Sequence, residues 1–307
     1  METTLFMFAG LPVTAYGACV AAAAALCVTA AYFSMRSLGK NVWEIFCVWC
    51  IPLAFAGARL FYVLARFNDV FDVYGPGFPL MPWEGGYALW GAVGGSALAG
   101  WITARRKGLK TRTVFDAAVP ALVLMLALCR FSEYFSGQGI GLPVENEALW
   151  FFPLSVQNMY GEWYYAVFAA EGVTALLVCL FVRKRFVEHK AVVSLILLSS
   201  AQIVWESMRR DDFLRWGFVR VSQIIAVVVL LSLLAAGCIR RLRSGEKPAK
   251  TAGRAAAFLC LTCACVALEF AMDKTPLPYG WAWLMMAACA AGMAVLPIRA
   301  IQRKGEA

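Results

Sequence analysis

Nine apolar runs, each long enough or nearly long enough to cross a bilayer, alternate with short polar stretches along these 307 residues. That pattern restricts the chain to a polytopic membrane fold. At a rise of about 1.5 Å per residue, about 20 residues span the roughly 30 Å of hydrocarbon. The runs fall near 13–35, 43–66, 87–104, 114–134, 163–182, 191–208, 219–239, 255–272 and 281–298. Inside lipid every backbone N–H and C=O must find a partner in its own segment, so each run is predicted as a helix. The expected fold is all-α: seven helices over 1–243, a basic linker at 244–254, and a two-helix hairpin with its tail at 255–307. Only 15% of the residues are charged and 62% are hydrophobic, which leaves no stretch for a large soluble domain.

The net charge is +9, and the position of the basic residues decides what that charge is for. Twenty of the 28 Lys and Arg follow the first, third, fifth, seventh and ninth runs, from Arg36 and Lys40 to Arg303 and Lys304. The positive-inside rule makes that side cytoplasmic, with the N-terminus outside and the C-terminus inside. The charge is therefore topological, and no nucleic-acid partner is expected. The first run has no basic residues before it and no small-residue cleavage site after it, so it is expected to be a retained helix. Most of the eleven cysteines lie within apolar runs and are expected to be buried packing residues. The single histidine, His189, falls in a basic loop, so no His-based metal site is predicted. No Walker loop is present either, and no cofactor is expected.

The chemistry-bearing residues collect at the other, expected outer, ends of the helices. Ala127–Gly141 closes the fourth run and places Arg130, Glu133 and Tyr134 on one helix face, at i, i+3 and i+4. Gly137, Gly139 and Gly141 then end the helix and offer backbone able to approach a ligand closely. The second run closes with Arg59, Tyr62 and Arg66 as one polar stripe; Arg59 lies about 10 Å deeper than Arg66 by helical rise and requires a partner. Glu171, in the middle of the fifth run, is the expected partner of Arg59. Four arginines on the outer side, Arg209, Arg210, Arg215 and Arg220, break the topological trend, so topology alone does not account for them. Glu206 and Asp212 stand within helical reach of Arg209, which also allows a self-neutralised network with no ligand. Gly91 and Gly95, four apart, mark a close helix contact. Tyr16, Arg59, Arg66, Arg130, Glu133, Gln138, Glu206, Arg209 and Arg210 are thus expected near one depth, where several guanidiniums suit a lipid phosphate.

These residues carry a resemblance. Ala15-Tyr16-Gly17, Gly57-Ala58-Arg59-Leu60-Phe61-Tyr62, Gly85-Gly86 through Trp90-Gly91, Asp116 with Pro120, Arg130 with Tyr134, Gly137, Gln138 and Gly141, and Glu206 through Asp212 followed by Ser222-Gln223 resemble, in order and topology, the bacterial prolipoprotein diacylglyceryl transferases. The likeness covers about residues 13–239 and implies a seven-helix transferase-like core in the bacterial plasma membrane. It implies transfer of the diacylglyceryl group of phosphatidylglycerol to the lipobox cysteine thiol of a preprolipoprotein, with release of glycerol phosphate. It makes Arg130 and Arg209 the essential arginines of the site. Tyr16, Arg59, Tyr62, Arg66, Gln138, Gly141 and Arg210 become candidates for contact with phospholipid. The family histidine is Trp90 here, its asparagine is Glu133 and its glutamate is Gln138. Without the histidine, Glu133 or Glu206 would take the thiol proton. The alternatives are a non-catalytic phospholipid-binding or accessory protein on the same scaffold and, further off, a transporter suggested by Glu171 and Glu269.

Overall fold

The computed structural model describes residues 4–301 apart from 9–10, 76, 82–84, 159, 187, 212–213, 217–218 and 276–277. Asp212, Arg303 and Lys304, singled out above, lie outside the described residues. The chain is an all-α polytopic membrane protein, with nine helices of 19 residues or more among the described residues. They are α1 (Ala15–Met35), α2 (Val42–Ala65), α4 (Leu89–Lys107), α5 (Thr111–Ser132), α6 (Val167–Arg185), α7 (Lys190–Met208), α8 (Val221–Arg243), α9 (Pro248–Lys274) and α10 (Tyr279–Ile301); the short α3 (Phe67–Tyr74) follows α2. Seven of them are long and apolar enough to cross a membrane; α4 and α6, whose last turns are basic, are not among these.

Local chemistry sets the helix ends. Thr14 caps α1 by accepting the Gly17 N–H at 3.1 Å, and Gly108, at φ +64°, closes α4 in the left-handed conformation that glycine adopts without strain. Pro248 occupies the start of α9, where its missing N–H costs nothing. This shortens the expected linker: Ala249–Arg254 are helical, so only Ser244–Lys247 connect α8 to α9. The fifth apolar run is also revised, since Trp163–Ala166 form a strand and α6 begins at Val167. Aromatic residues at an interfacial loop satisfy their backbone by strand pairing before the helix takes over.

Three small sheets stand at one end of the bundle. β1 (Thr4–Phe8) pairs with β2 (Leu11–Thr14). β3 (Ile140–Pro143), β4 (Ser155–Gln157) and β5 (Trp163–Ala166) form an antiparallel sheet in the order β3-β5-β4, and β6 (Arg215–Trp216) pairs with β7 (Val219–Arg220). Within the bundle α2 packs on α4, α1 and α6 on α5, and α7 on α6 and α8, while α10 lies against α7, α8 and α9. The expected glycine contact is present: a Cβ on Gly91 would strike the Gly57 carbonyl, and one on Gly95 the Leu53 carbonyl, so α2 and α4 meet backbone to backbone.

Two polar clamps fix α7 at its ends. At its start Asp116 of α5 accepts the N–H groups of His189 and Ala191 at 3.0 and 2.8 Å, capping the helix from a neighbouring element. About 21 Å away by helical rise, Arg130 ends α5 beside the other end of α7. The candidate site forms there.

Candidate functional site at the helix ends

Glu171 is the centre of the site. It stands in the second turn of α6, 5% exposed, and takes Arg130 Nε at 2.6 Å and Arg209 Nη1 at 3.0 Å. Arg59 is therefore not its partner, which corrects the pairing expected from sequence. Glu133, one turn beyond Arg130, bridges the same two arginines: its Oε1 lies 2.5 Å from Arg130 Nη1 and its Oε2 3.2 Å from Arg209 Nη2. Two guanidiniums that end α5 and α7 thus share two carboxylates.

Asp211 and Arg220 extend the network. Asp211 lies 2.8 Å from Arg209 Nη2, accepts the Gly139 N–H at 3.1 Å and lies 3.3 Å from Arg220 Nη1. Arg220 also reaches Glu206 at 3.6 Å and donates to the Arg209 carbonyl. Glu206 in turn accepts from the Gln202 side chain at 2.7 Å. Burial alone would push the Asp211 carboxyl up, but Arg209, the Gly139 N–H and Arg220 together hold it below the usual range. Gly139 is at φ +69°, and a Cβ there would come within 2.5 Å of Glu133 Oε2. The middle glycine of the signature thus allows the chain to turn closely around the carboxylate.

A cavity of about 60 Å³ lies between α4, α5, α6 and α7, with Arg130, Glu171 and Gln202 in a wall that is otherwise mostly apolar. Arg130 engages the network through Nε and Nη1. Trp90 lines the same cavity and also packs against the apolar cluster of α7, α8, α9 and α10. Its buried indole N–H has no acceptor among the described residues.

The structure therefore unites Arg130, Glu133 and Arg209, with Glu206 joined through Arg220. It does not bring Arg59 into this group. Arg59 donates to the carbonyls of Phe78, Met81 and Gly86 at 2.6, 2.8 and 3.3 Å and sits 3.9 Å from the Phe78 ring centre, so it ties these three residues to α2. Tyr62 packs beside it against Phe78, and Arg66 ends α2. Tyr16 is in the first turn of α1, a helix that packs on the Glu133–Phe135 turn. Gln138 is exposed, and Gly141 is buried against Val167 and Met208. Arg210 is exposed, 6.0 Å from the Tyr279 ring centre.

The family described as prolipoprotein diacylglyceryl transferase matches residues 3–239, from β1 through most of α8. The chain belongs to the prolipoprotein diacylglyceryl transferase family. It is 28% identical over 246 residues to a phosphatidylglycerol–prolipoprotein diacylglyceryl transferase of Clostridium botulinum, covering 76% of this chain and 95% of that protein. A protein of the same name from Enterococcus faecalis is 26% identical over 255 residues, covering 78% and 91%. One from Mycobacteroides abscessus is 31% identical over 137 residues, 43% of this chain and 40% of that protein. Family and helices together place the chain in the bacterial plasma membrane as a multi-pass member of a transferase family. The hairpin of α9 and α10 lies beyond the matched residues.

Sequence reasoning underrated Glu171, Asp211 and Arg220. An ionisable residue in the middle of an apolar run signals Glu171 on cost alone. Its partner stayed hidden because helix periodicity gives the face of one helix and not which helices are neighbours.

Proposed function

We propose that this protein transfers the diacylglyceryl group of phosphatidylglycerol to the lipobox cysteine thiol of a preprolipoprotein at the outer face of the plasma membrane. The observation that carries the proposal is the meeting of Arg130 and Arg209 on shared carboxylates at the wall of a mostly apolar cavity. Guanidiniums bind phosphate oxygens through two parallel N–H bonds, and arginines already positioned by buried carboxylates stabilise charge as it develops on the leaving oxygen.

In the proposed step the lipid phosphate takes N–H groups of Arg130 and Arg209. The thiol sulfur bonds to the diacylglyceryl C3 carbon as the C3–O bond to phosphate breaks. The electron pair leaves on the phosphate oxygen, where the two arginines stabilise it. The thiol proton passes to Glu133, displaced from Arg130 by the phosphate, or to Glu206, and then to the released glycerol phosphate. Tyr16, Tyr62, Arg66, Gln138, Gly141 and Arg210 are assigned to the lipid side of this reading and Arg59 to the loop that borders it.

Labelled phosphatidylglycerol and a lipobox peptide test the proposal. Label is expected in the peptide with the intact protein, with a loss of about 10²–10³-fold on Arg209→Lys, which keeps the charge and loses the fork. An intact protein that leaves the peptide unlabelled while retaining bound phospholipid removes the catalytic reading. One observation favours that second reading, a phospholipid-binding protein without turnover: Trp90, where the family carries histidine, offers an indole that cannot act as a base.

A further inference from the structure

At the end of the bundle opposite the arginine site, α1, α2 and α4 form a corner rich in basic residues that the ion-pair cluster does not use. Residues 36–50 and 98–112 carry Arg36, Lys40, Arg105, Arg106, Lys107, Lys110 and Arg112 against a single carboxylate, Glu44. Arg112 pairs with Asp116 and Glu188, and the others have no carboxylate within ion-pair distance among the described residues. Topology asks only that such charge stand on this side of the membrane. Here it is also held in place. The Arg105 guanidinium lies 5.6 Å from the Trp101 ring centre, and Arg106 lies 4.8 Å from the ring centre of Trp49 on α2. Lys107 donates to the Lys40 carbonyl at 3.0 Å, just ahead of Val42, where α2 begins with no side chain capping its first N–H groups. The positive end of the α2 dipole therefore belongs to the same corner.

We infer that this corner binds an anionic phospholipid of the leaflet opposite the arginine site. Arg105, Arg106 and Lys107 take the phosphate, and an acyl chain lies along Trp101 and Leu98. The inference does not depend on the proposed transfer reaction.

Three observations select a lipid over a soluble anion or an acidic protein. Leu98, Trp101 and Arg105 stand at i, i+3 and i+7 of α4 and are all exposed, so an apolar stripe leads up to a guanidinium. A ligand with an anionic head joined to an apolar tail satisfies both ends of that stripe. A guanidinium laid over an indole keeps its in-plane N–H groups available to phosphate oxygens, which accept them in pairs. Tryptophan is also the residue favoured at the membrane–water boundary, the depth at which lipid phosphates lie. On α2, Val48 and Ile51 are exposed beside Trp49 and extend the apolar surface. Arg183, Lys184 and Arg185 give α6 a basic last turn with no ring beneath a guanidinium among the described residues, and they provide a comparison within the same molecule.

The test uses the full chain in phosphatidylcholine nanodiscs containing a minor share of phosphatidylserine with a photoreactive acyl chain, the label being mapped by peptide mass spectrometry. Label is expected at Leu98–Trp101 and Val48–Ile51. Arg105→Gln with Arg106→Gln is expected to reduce it about 10–30-fold, and Lys184→Gln with Arg185→Gln to leave it unchanged. All four side chains are exposed, so the variants are expected to fold. Arg105→Lys with Arg106→Lys keeps the charge, loses the fork and is expected to retain only part of the label. Equal loss from the α4 and α6 glutamine pairs, or full label with the lysine pair, reduces the corner to diffuse charge and overturns the inference. Equal label from photoreactive phosphatidylcholine, or label confined to the ends of α5 and α7 at the arginine site, also overturns it. Displacement by inorganic phosphate, at an ionic strength matched with chloride, would assign the corner to a soluble anion instead.

Discussion

At the scale of single residues, the site is held by charges that need each other. Glu171 is almost wholly buried and faces two guanidiniums, so Glu171→Gln removes one of the two carboxylates that Arg130 and Arg209 share. Removing one partner of a buried pair costs about 3–5 kcal/mol, against about 0–1 kcal/mol for an exposed carboxylate. Thermal unfolding in detergent should therefore show a large drop in midpoint for Glu171→Gln and almost none for Glu147→Gln, which is exposed. Asp211 supplies a pH signature. Its folded carboxyl is held below the ordinary range, so its contribution is complete above about pH 4 and is lost as the pH falls through the lower folded value. The stability gap between the wild type and Asp211→Asn should stay constant from neutral pH to about 4 and close in more acid solution. A gap that widens in acid would mean that another group controls the cluster.

At the scale of elements, the contact between α2 and α4 depends on glycines that leave no room for a side chain. Gly91→Leu would drive its side chain into the Gly57 carbonyl and Phe61, and Gly94→Leu, where a Cβ meets nothing within 4 Å, serves as its control. The first is expected to cost at least about 1–3 kcal/mol and the second little, read as resistance to unfolding in SDS. The same helix also carries Phe78, Met81 and Gly86, because Arg59 leaves α2 to hold their carbonyls. Arg59→Ala should increase hydrogen exchange at Phe78–Met81 and Gly86 while leaving exchange at Ser132–Phe135 unchanged. Increased exchange in both regions would reunite Arg59 with the arginine site.

At the scale of the whole molecule, the hairpin beyond the family match is built into the core. Cys238 and Leu230 of α8, Ile196 of α7 and Met286 and Met293 of α10 belong to one buried cluster, the largest among the described residues. Ser200 donates to the Ala290 carbonyl at 2.6 Å, and Arg241 donates to the carbonyls of Ala300 and Arg299. A chain ending at Arg243 would open the α7 and α8 faces that α10 covers, so it should lose its monodisperse elution in mild detergent. Monodisperse behaviour would make the hairpin an accessory element and not part of the core.

The apolar runs by themselves determined a helical membrane protein, because lipid leaves an unpaired backbone group no alternative partner. They also placed most helix ends within a few residues. Helical spacing put Arg130 and Glu133 on one face, and the unusual cost of a carboxylate in the middle of a run marked Glu171. Only the tertiary structure decided which arginines Glu171 serves, that Arg59 holds a loop, and that Trp163–Ala166 pair as a strand before α6 begins. Periodicity describes a helix about its own axis, whereas ion pairing depends on which helix stands next to it. That neighbourhood is set by side-chain volume at every contact, including glycines that let two backbones touch.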